Sequence, residues 1–227
     1  VLTLQNGLGN EEALAALVPA AQVLGGLCFV CLNREAPGVI RHIAHGRIRL
    51  GEFGRPPEPR THGIAQIFRD SGIACDVTAS LAMAHWEKLV WNIPFNGLGV
   101  ASAAGWEVWE GADPGGIVGG HPHRTTDLLL ADARWTGLVR GLMQEVIATA
   151  RALGHPIPDS QADEEIRRTR EMGAYQASTL VDFALGRPLE LDSLFREPLR
   201  QAQAAGVPVP RLERLCRVLE VLAARAV

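Results

Sequence analysis

Four polar residues recur along an otherwise apolar stretch in the middle of the chain. Their spacing of three, four and four positions would place them on one face of a helix: His85, Lys88, Asn92 and Asn96. The residues between them are mostly apolar, so the sequence predicts a buried helix. A charge or an amide in such a helix must find a partner, because leaving it unpaired away from water is costly. The polar face is therefore either a hydrogen-bonded seam against another helix or the wall of a cavity.

Lys88 is the only lysine among the 22 lysine and arginine residues of the chain. Arginine keeps its proton at any useful pH, whereas lysine is a compact donor whose pKa falls readily on burial. A position that keeps lysine in such an arginine-rich chain is therefore a candidate for a role that needs those properties. Chance placement of a single lysine is the alternative.

Two weaker candidates lie further along the chain. Glu190 stands at a predicted helix start, where the helix dipole alone favours a glutamate. Ser178 and Asp182 are four positions apart and could equally be ordinary helix surface. No metal site is predicted: Cys28 and Cys31 would point to opposite faces of a strand, and the histidines at 121 and 123 have no third ligand nearby in sequence.

The composition argues against several classes of function. The chain has 227 residues, a net charge of −3 and 47% hydrophobic residues, which is typical of a globular protein with one large or two small domains. The near-neutral balance predicts no nucleic-acid partner, and the absence of a long apolar segment or signal peptide predicts no membrane partner. Four scattered cysteines fit a reducing compartment, so a cytoplasmic protein is expected.

Residues 1–77 have the pattern of the later part of an α/β domain. Val23 to Leu32 is apolar and rich in β-formers, as a strand covered on both faces should be. The runs 39–43 and 47–53 predict a hairpin joined through His45 and Gly46. No Gly-x-Gly-x-x-Gly turn is found. We therefore expect only the C-terminal part of a dinucleotide-binding domain.

Residues 78–227 have the pattern of an all-helical domain. Thr78 is a predicted N-cap for the helix that carries Lys88, and a long helix is predicted at 128–153. The glycine- and proline-rich stretch at 105–126 predicts a mobile loop. The predicted fold class is thus an α/β remnant of a Rossmann-type domain followed by an all-α helical domain.

Three segments of this sequence, in this order, resemble the ketopantoate reductases, also called 2-dehydropantoate 2-reductases. They are LQNGLGNE at 4–11, WEKLVWNIPFN at 86–96, and STLVD at 178–182 continuing through GRPLELD at 186–192. The lysine followed by two asparagines is the most specific of them. The resemblance implies a Rossmann domain for NADP, a helical domain and an active site in the cleft between them.

The resemblance also implies a reaction and a set of residue roles. The reaction is NADPH-dependent reduction of a 2-keto acid, 2-dehydropantoate to pantoate, in pantothenate biosynthesis. Lys88 would be the general acid and Asn6 would lie near the nicotinamide. Asn92 and Asn96 would hold the lysine and the substrate, Glu190 would bind the substrate hydroxyl, and Ser178 would lie near the substrate carboxylate. The partner is then a small-molecule 2-keto acid, and a homodimer is compatible with the pattern.

The sequence departs from the family pattern at its start, where the glycine-rich phosphate-binding turn and the first strands of the Rossmann sheet are not found. We therefore expect a fragment with an incomplete NADP site that binds the cofactor weakly or not at all. Two alternatives stay open. One is a relative that reduces another branched 2-keto acid, and the other is a non-catalytic helical module for dimerisation or binding.

Overall fold

The computed structural model describes residues 1–111 and 120–225, apart from the side chains of residues 33–35 and 43–44. The chain divides into two compact units, Val1–His85 and Trp86–Val227. The first unit is built on a small sheet and the second is helical, so the predicted fold class is confirmed. The division falls inside a helix, later in the chain than the predicted boundary between residues 77 and 78.

A four-stranded sheet in chain order forms the centre of the first unit. Its strands are β1 (Leu2–Thr3), β2 (Leu24–Ala36), β3 (Val39–Glu52) and β4 (Ala74–Val77). β2 and β3 are antiparallel. β1 pairs in parallel with β2 at one edge of the sheet, and β4 pairs in parallel with β3 at the other. Two helices complete the unit, α1 (Asn10–Ala15) and α2 (Pro59–Asp70). Residues 23–27 of the predicted strand are buried, as expected for a strand covered on both faces.

The predicted hairpin through His45 and Gly46 is wrong. β3 runs without interruption from Val39 to Glu52 and forms its hairpin with β2 instead. His45 and Gly46 both have positive φ, 62° and 139°, and the register with β2 shifts opposite them. These two residues therefore form a β-bulge within the strand, which uses the same left-handed backbone as a tight turn.

The helix that carries Lys88 is α3 (Leu81–Ala101). It begins at Leu81 because Ser80, rather than Thr78, caps it: the Ser80 Oγ accepts a hydrogen bond from the Met83 N–H at 3.2 Å. Thr78 instead accepts from the N–H of Ser80 at 3.3 Å. α3 is buried along most of its length, as its apolar composition predicts.

The second unit continues with further helices. They are α4 (Thr126–Ala131), α5 (Ala133–Ala152), α6 (Ser160–Arg170), α7 (Ser178–Ala184), a π-helix at Asp192–Arg196, α8 (Glu197–Ala204) and α9 (Pro210–Arg225). The single helix predicted at 128–153 is two helices. Asp132 between them is extended, and its carboxylate caps α5 by accepting from the N–H of Arg134 at 2.9 Å. Residues 112–119 of the predicted loop at 105–126 lie outside the described residues.

Two contacts fix neighbouring helices in the second unit. The buried Glu145 of α5 accepts from the backbone N–H groups of Arg211 and Leu212, at 3.1 and 2.9 Å, and so caps α9 from outside. Gly97 of α3 packs tightly: a Cβ at this position would lie 2.6 Å from Leu215 of α9 and 2.9 Å from Phe195 of the π-helix. Glycine therefore permits the close approach of α3 to both.

Candidate active site

The polar face of α3 begins with His85, whose side chain pairs with another residue of the first unit. Its Nε2 lies 3.1 Å from the Glu11 Oε1, and both side chains are buried. A Cβ on Gly25 would fall 2.1 Å from the same Glu11 oxygen, so β2 closes over the pair. The sequence pattern did not indicate this pair, because its two residues are 74 positions apart in the chain.

Lys88, Asn92 and Asn96 follow in the second unit, one turn apart on α3. Lys88 is half-buried, and the amides of Asn92 and Asn96 belong to residues that are 6% and 2% exposed. Trp91 anchors a flank of α3: its Nε1 donates to the Thr169 Oγ1 at 2.9 Å, and its ring packs on Tyr175 with centroids 6.1 Å apart. The polar face is thus held in a fixed rotation about the helix axis.

Asn96 connects α3 to α7. Its Oδ1 accepts a hydrogen bond from the backbone N–H of Thr179 at 3.0 Å and from the Ser178 hydroxyl at 3.2 Å. α7 has alanine at its own N-cap and no side-chain cap within its sequence. Asn96 therefore takes the place of the missing N-cap, and the structure brings together two of the residues singled out from the sequence, Asn96 and Ser178.

Asn92 has a different environment. The residue is 6% exposed, yet its side-chain amide is not among the buried groups that lack a partner in the described part of the chain. The amide lies one turn from Lys88 on the same face of α3. A carboxamide at this position can both donate to and accept from a bound molecule.

Glu190 lies close enough to both Lys88 and Asp182 to interact electrostatically with each of them. Burial raises the pKa of the Glu190 carboxyl, the negative charge of Asp182 raises it further, and the positive charge of Lys88 opposes both effects. Asp182 also pairs with Arg187 at 3.4 Å. The structure therefore brings Glu190 and Lys88 together, 102 positions apart in the chain. This arrangement can bind a small polar molecule and offer it a proton.

Asn6 lies in the first unit, in the loop that joins β1 to α1. The loop is shaped by Gly7 and Gly9, with φ of 85° and 87°, which is a conformation that glycine adopts without strain. The Asn10 Nδ2 donates to the backbone carbonyl of Asn6 at 3.0 Å and closes the loop. In open α/β sheets, ligands bind beyond the carboxyl ends of strands, which is where this loop lies relative to β1.

Two other features, a metal site and a membrane-spanning helix, are not found among the described residues. No group of three or more His, Cys, Asp or Glu side chains in that part of the chain is arranged to hold a metal ion. No helix within the described ranges is long and apolar enough to cross a membrane.

Comparison with known proteins identifies the family. The model of "Ketopantoate reductase PanE/ApbA" matches residues 1–55, and the model of its C-terminal domain matches residues 123–223. A crystal structure of 2-dehydropantoate 2-reductase from Geobacter metallireducens is 43% identical, with a TM-score of 0.84, over 96% of this chain and 67% of that one. The chain belongs to the ketopantoate reductase family.

Other ketopantoate reductases agree with this assignment. The 2-dehydropantoate 2-reductase of Nostoc sp. is 36% identical over 99% of this chain. The structure of the Methylococcus capsulatus enzyme is 32% identical, with a TM-score of 0.83, over 99% of this chain and 66% of that one. The chain spans 66% of the length of the Nostoc relative.

Proposed function

We propose that this protein reduces a small 2-keto acid, 2-dehydropantoate, to pantoate with NADPH as the hydride donor. The observation that carries the proposal is that Lys88 and Asn92 lie one turn apart on α3 and that the positive charge of Lys88 acts on the Glu190 carboxyl. It combines a proton donor, an amide one helical turn away and a carboxyl group close enough to interact with the lysine. Membership of the ketopantoate reductase family supports the same reaction.

Each residue has a role that follows from its chemistry. Hydride addition to the ketone carbon, which NADPH supplies when bound, leaves negative charge on the ketone oxygen. The Lys88 ammonium stabilises that charge and donates the proton that completes the alcohol. Asn92 binds the keto acid through its amide, and Glu190 accepts a hydrogen bond from the substrate hydroxyl. Lysine suits this task better than arginine, because arginine does not release its proton.

The residues of the β1–α1 loop fit the nicotinamide end of NADPH. The left-handed glycines of the β1–α1 loop allow a ligand to approach the backbone closely, and Asn6 in that loop would lie by the nicotinamide. A Gly-x-Gly-x-x-Gly turn, which holds the pyrophosphate in many dinucleotide sites, is not found in the sequence. The residues for the phosphate end of NADPH are therefore not identified in this chain.

Substitution of Lys88 tests the proposal. We expect Lys88→Arg and Lys88→Ala to lower kcat for 2-dehydropantoate by roughly 10²-fold to 10⁴-fold, the usual effect of removing a general acid. The melting temperature of each variant, measured alongside, separates loss of chemistry from loss of fold. Wild-type turnover in a stably folded Lys88→Arg protein would contradict the role of the lysine. A folded wild-type protein that turns over neither 2-dehydropantoate nor other branched 2-keto acids with NADPH would contradict the function itself.

A further inference from the structure

Glu11 and His85 form a buried pair in the first unit to which the proposed reaction gives no role. Glu11 is 4% exposed and His85 is 6% exposed, and the Glu11 Oε1 lies 3.1 Å from the His85 Nε2. An ionised carboxylate can only accept a hydrogen bond, so the Nε2 carries a proton and is the donor. The pair joins α1 to the beginning of α3.

α1 is a short helix that depends on contacts with the rest of the unit. It has 6 residues and no side-chain cap at its N-terminus, and helices of this length are marginal on their own. Glu11 is the one buried residue of the six. The contact with His85 is therefore the buried anchor of α1.

The backbone of β2 closes one side of the space around the Glu11 carboxylate. A Cβ on Gly25 would fall 2.1 Å from the Glu11 Oε1 and 2.5 Å from a methyl group of Leu81. Glycine at position 25 thus lets the carboxylate and the first residue of α3 both reach the strand. β2, α1 and the start of α3 therefore meet at one polar contact.

α1 follows directly on the loop that carries Asn6. Gly7 and Gly9 have φ of 85° and 87°, and Gly9 stands at the N-cap of α1, so the loop has little stiffness of its own. The Asn10 Nδ2 donates to the backbone carbonyl of Asn6 at 3.0 Å and ties the loop to the first residue of α1. A contact that fixes α1 therefore also fixes the place of Asn6.

We infer that His85 and Glu11 are positioning residues for the nicotinamide end of the cofactor, because their contact holds α1 and, through α1, the loop of Asn6. The inference rests on the proposed function for the identity of the cofactor, whereas the link between the pair and α1 does not. Exchange of a buried ion pair for apolar side chains is often neutral for stability, so a geometric role explains the pair better than a stabilising one.

Two substitutions of His85 test the contact. Glutamine places an amide N–H near the position of the imidazole Nε2, whereas leucine fills the space without a donor. We expect His85→Leu to speed hydrogen exchange at the amides of Ala13 and Ala16 by at least about 10-fold and to raise KM for NADPH by about 10-fold, with kcat changed by less than about 3-fold. His85→Gln should restore most of both values. A purely structural role would lower the melting temperature and leave KM for NADPH unchanged.

Glu12 is the matched control for Glu11. Both glutamates lie in the first turn of α1, where each interacts favourably with the helix dipole, but Glu12 is exposed. Glu11→Ala should reproduce the effects of His85→Leu, and Glu12→Ala should change exchange and KM by less than about 3-fold. Equal effects of the two alanines would show that the dipole holds α1, and would overturn the inference.

The two readouts separate the possible failures. Unchanged exchange in α1 of the His85→Leu protein overturns the link between the pair and the helix. Faster exchange with an unchanged KM for NADPH overturns the positioning role. If the wild-type protein has no turnover, the proposed function fails, while the exchange data still decide whether the pair holds α1.

A measurement on the wild-type protein covers the case in which a variant does not fold. A long-range ¹H–¹⁵N NMR spectrum of the 7 histidine rings shows which ring nitrogens carry a proton, and the ring of His85 is assigned through its backbone resonances. We expect the Nε2 of His85 to be protonated and its proton to exchange slowly with solvent. An unprotonated or rapidly exchanging Nε2 would contradict the donation to Glu11 on which the inference depends.

Discussion

The carboxylate of Glu52 shows how much a single buried residue depends on its partners. Glu52 is 1% exposed, yet it receives hydrogen bonds from Arg60 at 3.0 Å, from Arg55 at 2.8 Å and from the hydroxyl of Thr61. The bond from Arg60 is the main reason that its pKa falls from 4.5 to about 2, although burial acts in the opposite direction. The charge is therefore stable inside the α/β unit only while the arginines remain in place.

This shift predicts a loss of stability in acid. Because the pKa of Glu52 is lower in the folded state than in the unfolded state, its stabilisation is fully present above about pH 4.5 and is lost as the pH falls towards 2. We expect Glu52→Gln to lower the free energy of unfolding by about 3 kcal/mol at pH 7 and to flatten its dependence on pH in that window. Chemical denaturation at a series of pH values measures both effects.

Glu58 is the matched control for Glu52, because it pairs with the same two arginines from the surface. Its carboxylate is 45% exposed and lies 3.3 Å from Arg55 and 3.8 Å from Arg60. Exposed ion pairs contribute about 0–1 kcal/mol, and glutamine keeps the side-chain oxygen with which Glu58 accepts from the backbone of Thr61 in the capping box of α2, so Glu58→Gln should have little effect. Equal losses of stability in the two variants would show that burial of Glu52 has no special importance.

At the scale of the helix, the structure separates two glycines that look alike in sequence. Gly97 in α3 and Gly137 in α5 both lie within helices, where alanine is intrinsically more stable by about 1 kcal/mol. At Gly97 an added Cβ meets the buried side chains of Leu215 and Phe195, whereas at Gly137 it meets nothing within 4 Å. Packing therefore opposes helix propensity at one position and leaves it unopposed at the other.

We expect opposite outcomes for alanine at these two positions. Gly137→Ala should stabilise the protein by about 0.5–1 kcal/mol, and Gly97→Ala should destabilise it by about 1–3 kcal/mol through overpacking. Because Gly97 follows Asn96 directly, the same change should also speed hydrogen exchange at the start of α7. Thermal denaturation and hydrogen exchange measure the two effects, and a stabilised Gly97→Ala protein would show that α3 is free to move away from its neighbours.

At the scale of the whole molecule, a single lysine gives the chain one natural reporter. Reductive methylation with ¹³C-formaldehyde modifies amines and leaves arginine unchanged, so it labels Lys88 and the N-terminal amine of the chain. We expect pantoate to shift the NMR signal of Lys88 and to leave the N-terminal signal in place. The Lys88→Arg protein identifies the signal by its loss. A Lys88 signal that does not respond to saturating pantoate would argue against its place at the substrate.

The sequence by itself determined the features that follow from local periodicity and residue type. The spacing of Lys88, Asn92 and Asn96 placed them on one face of a buried helix, and the change from alternating strands to long helices gave the fold class. Local rules failed where the same residue types suit two different backbone structures. His45 and Gly46 favour a turn or a bulge equally, and the pairing of β3 with β2 decided for the bulge.

The tertiary structure alone decided which distant residues meet. Asn96 and its partner Ser178 are 82 positions apart, and His85 and its partner Glu11 are 74 positions apart. Glu190 acquires its raised pKa from burial and from the neighbouring Asp182. The periodicity of a helix shows which side chains share a face, but it carries no information about what that face will touch. The hydrogen bonds of Asn96 form only when α7 packs against α3, because both of its partners, Ser178 and Thr179, belong to α7.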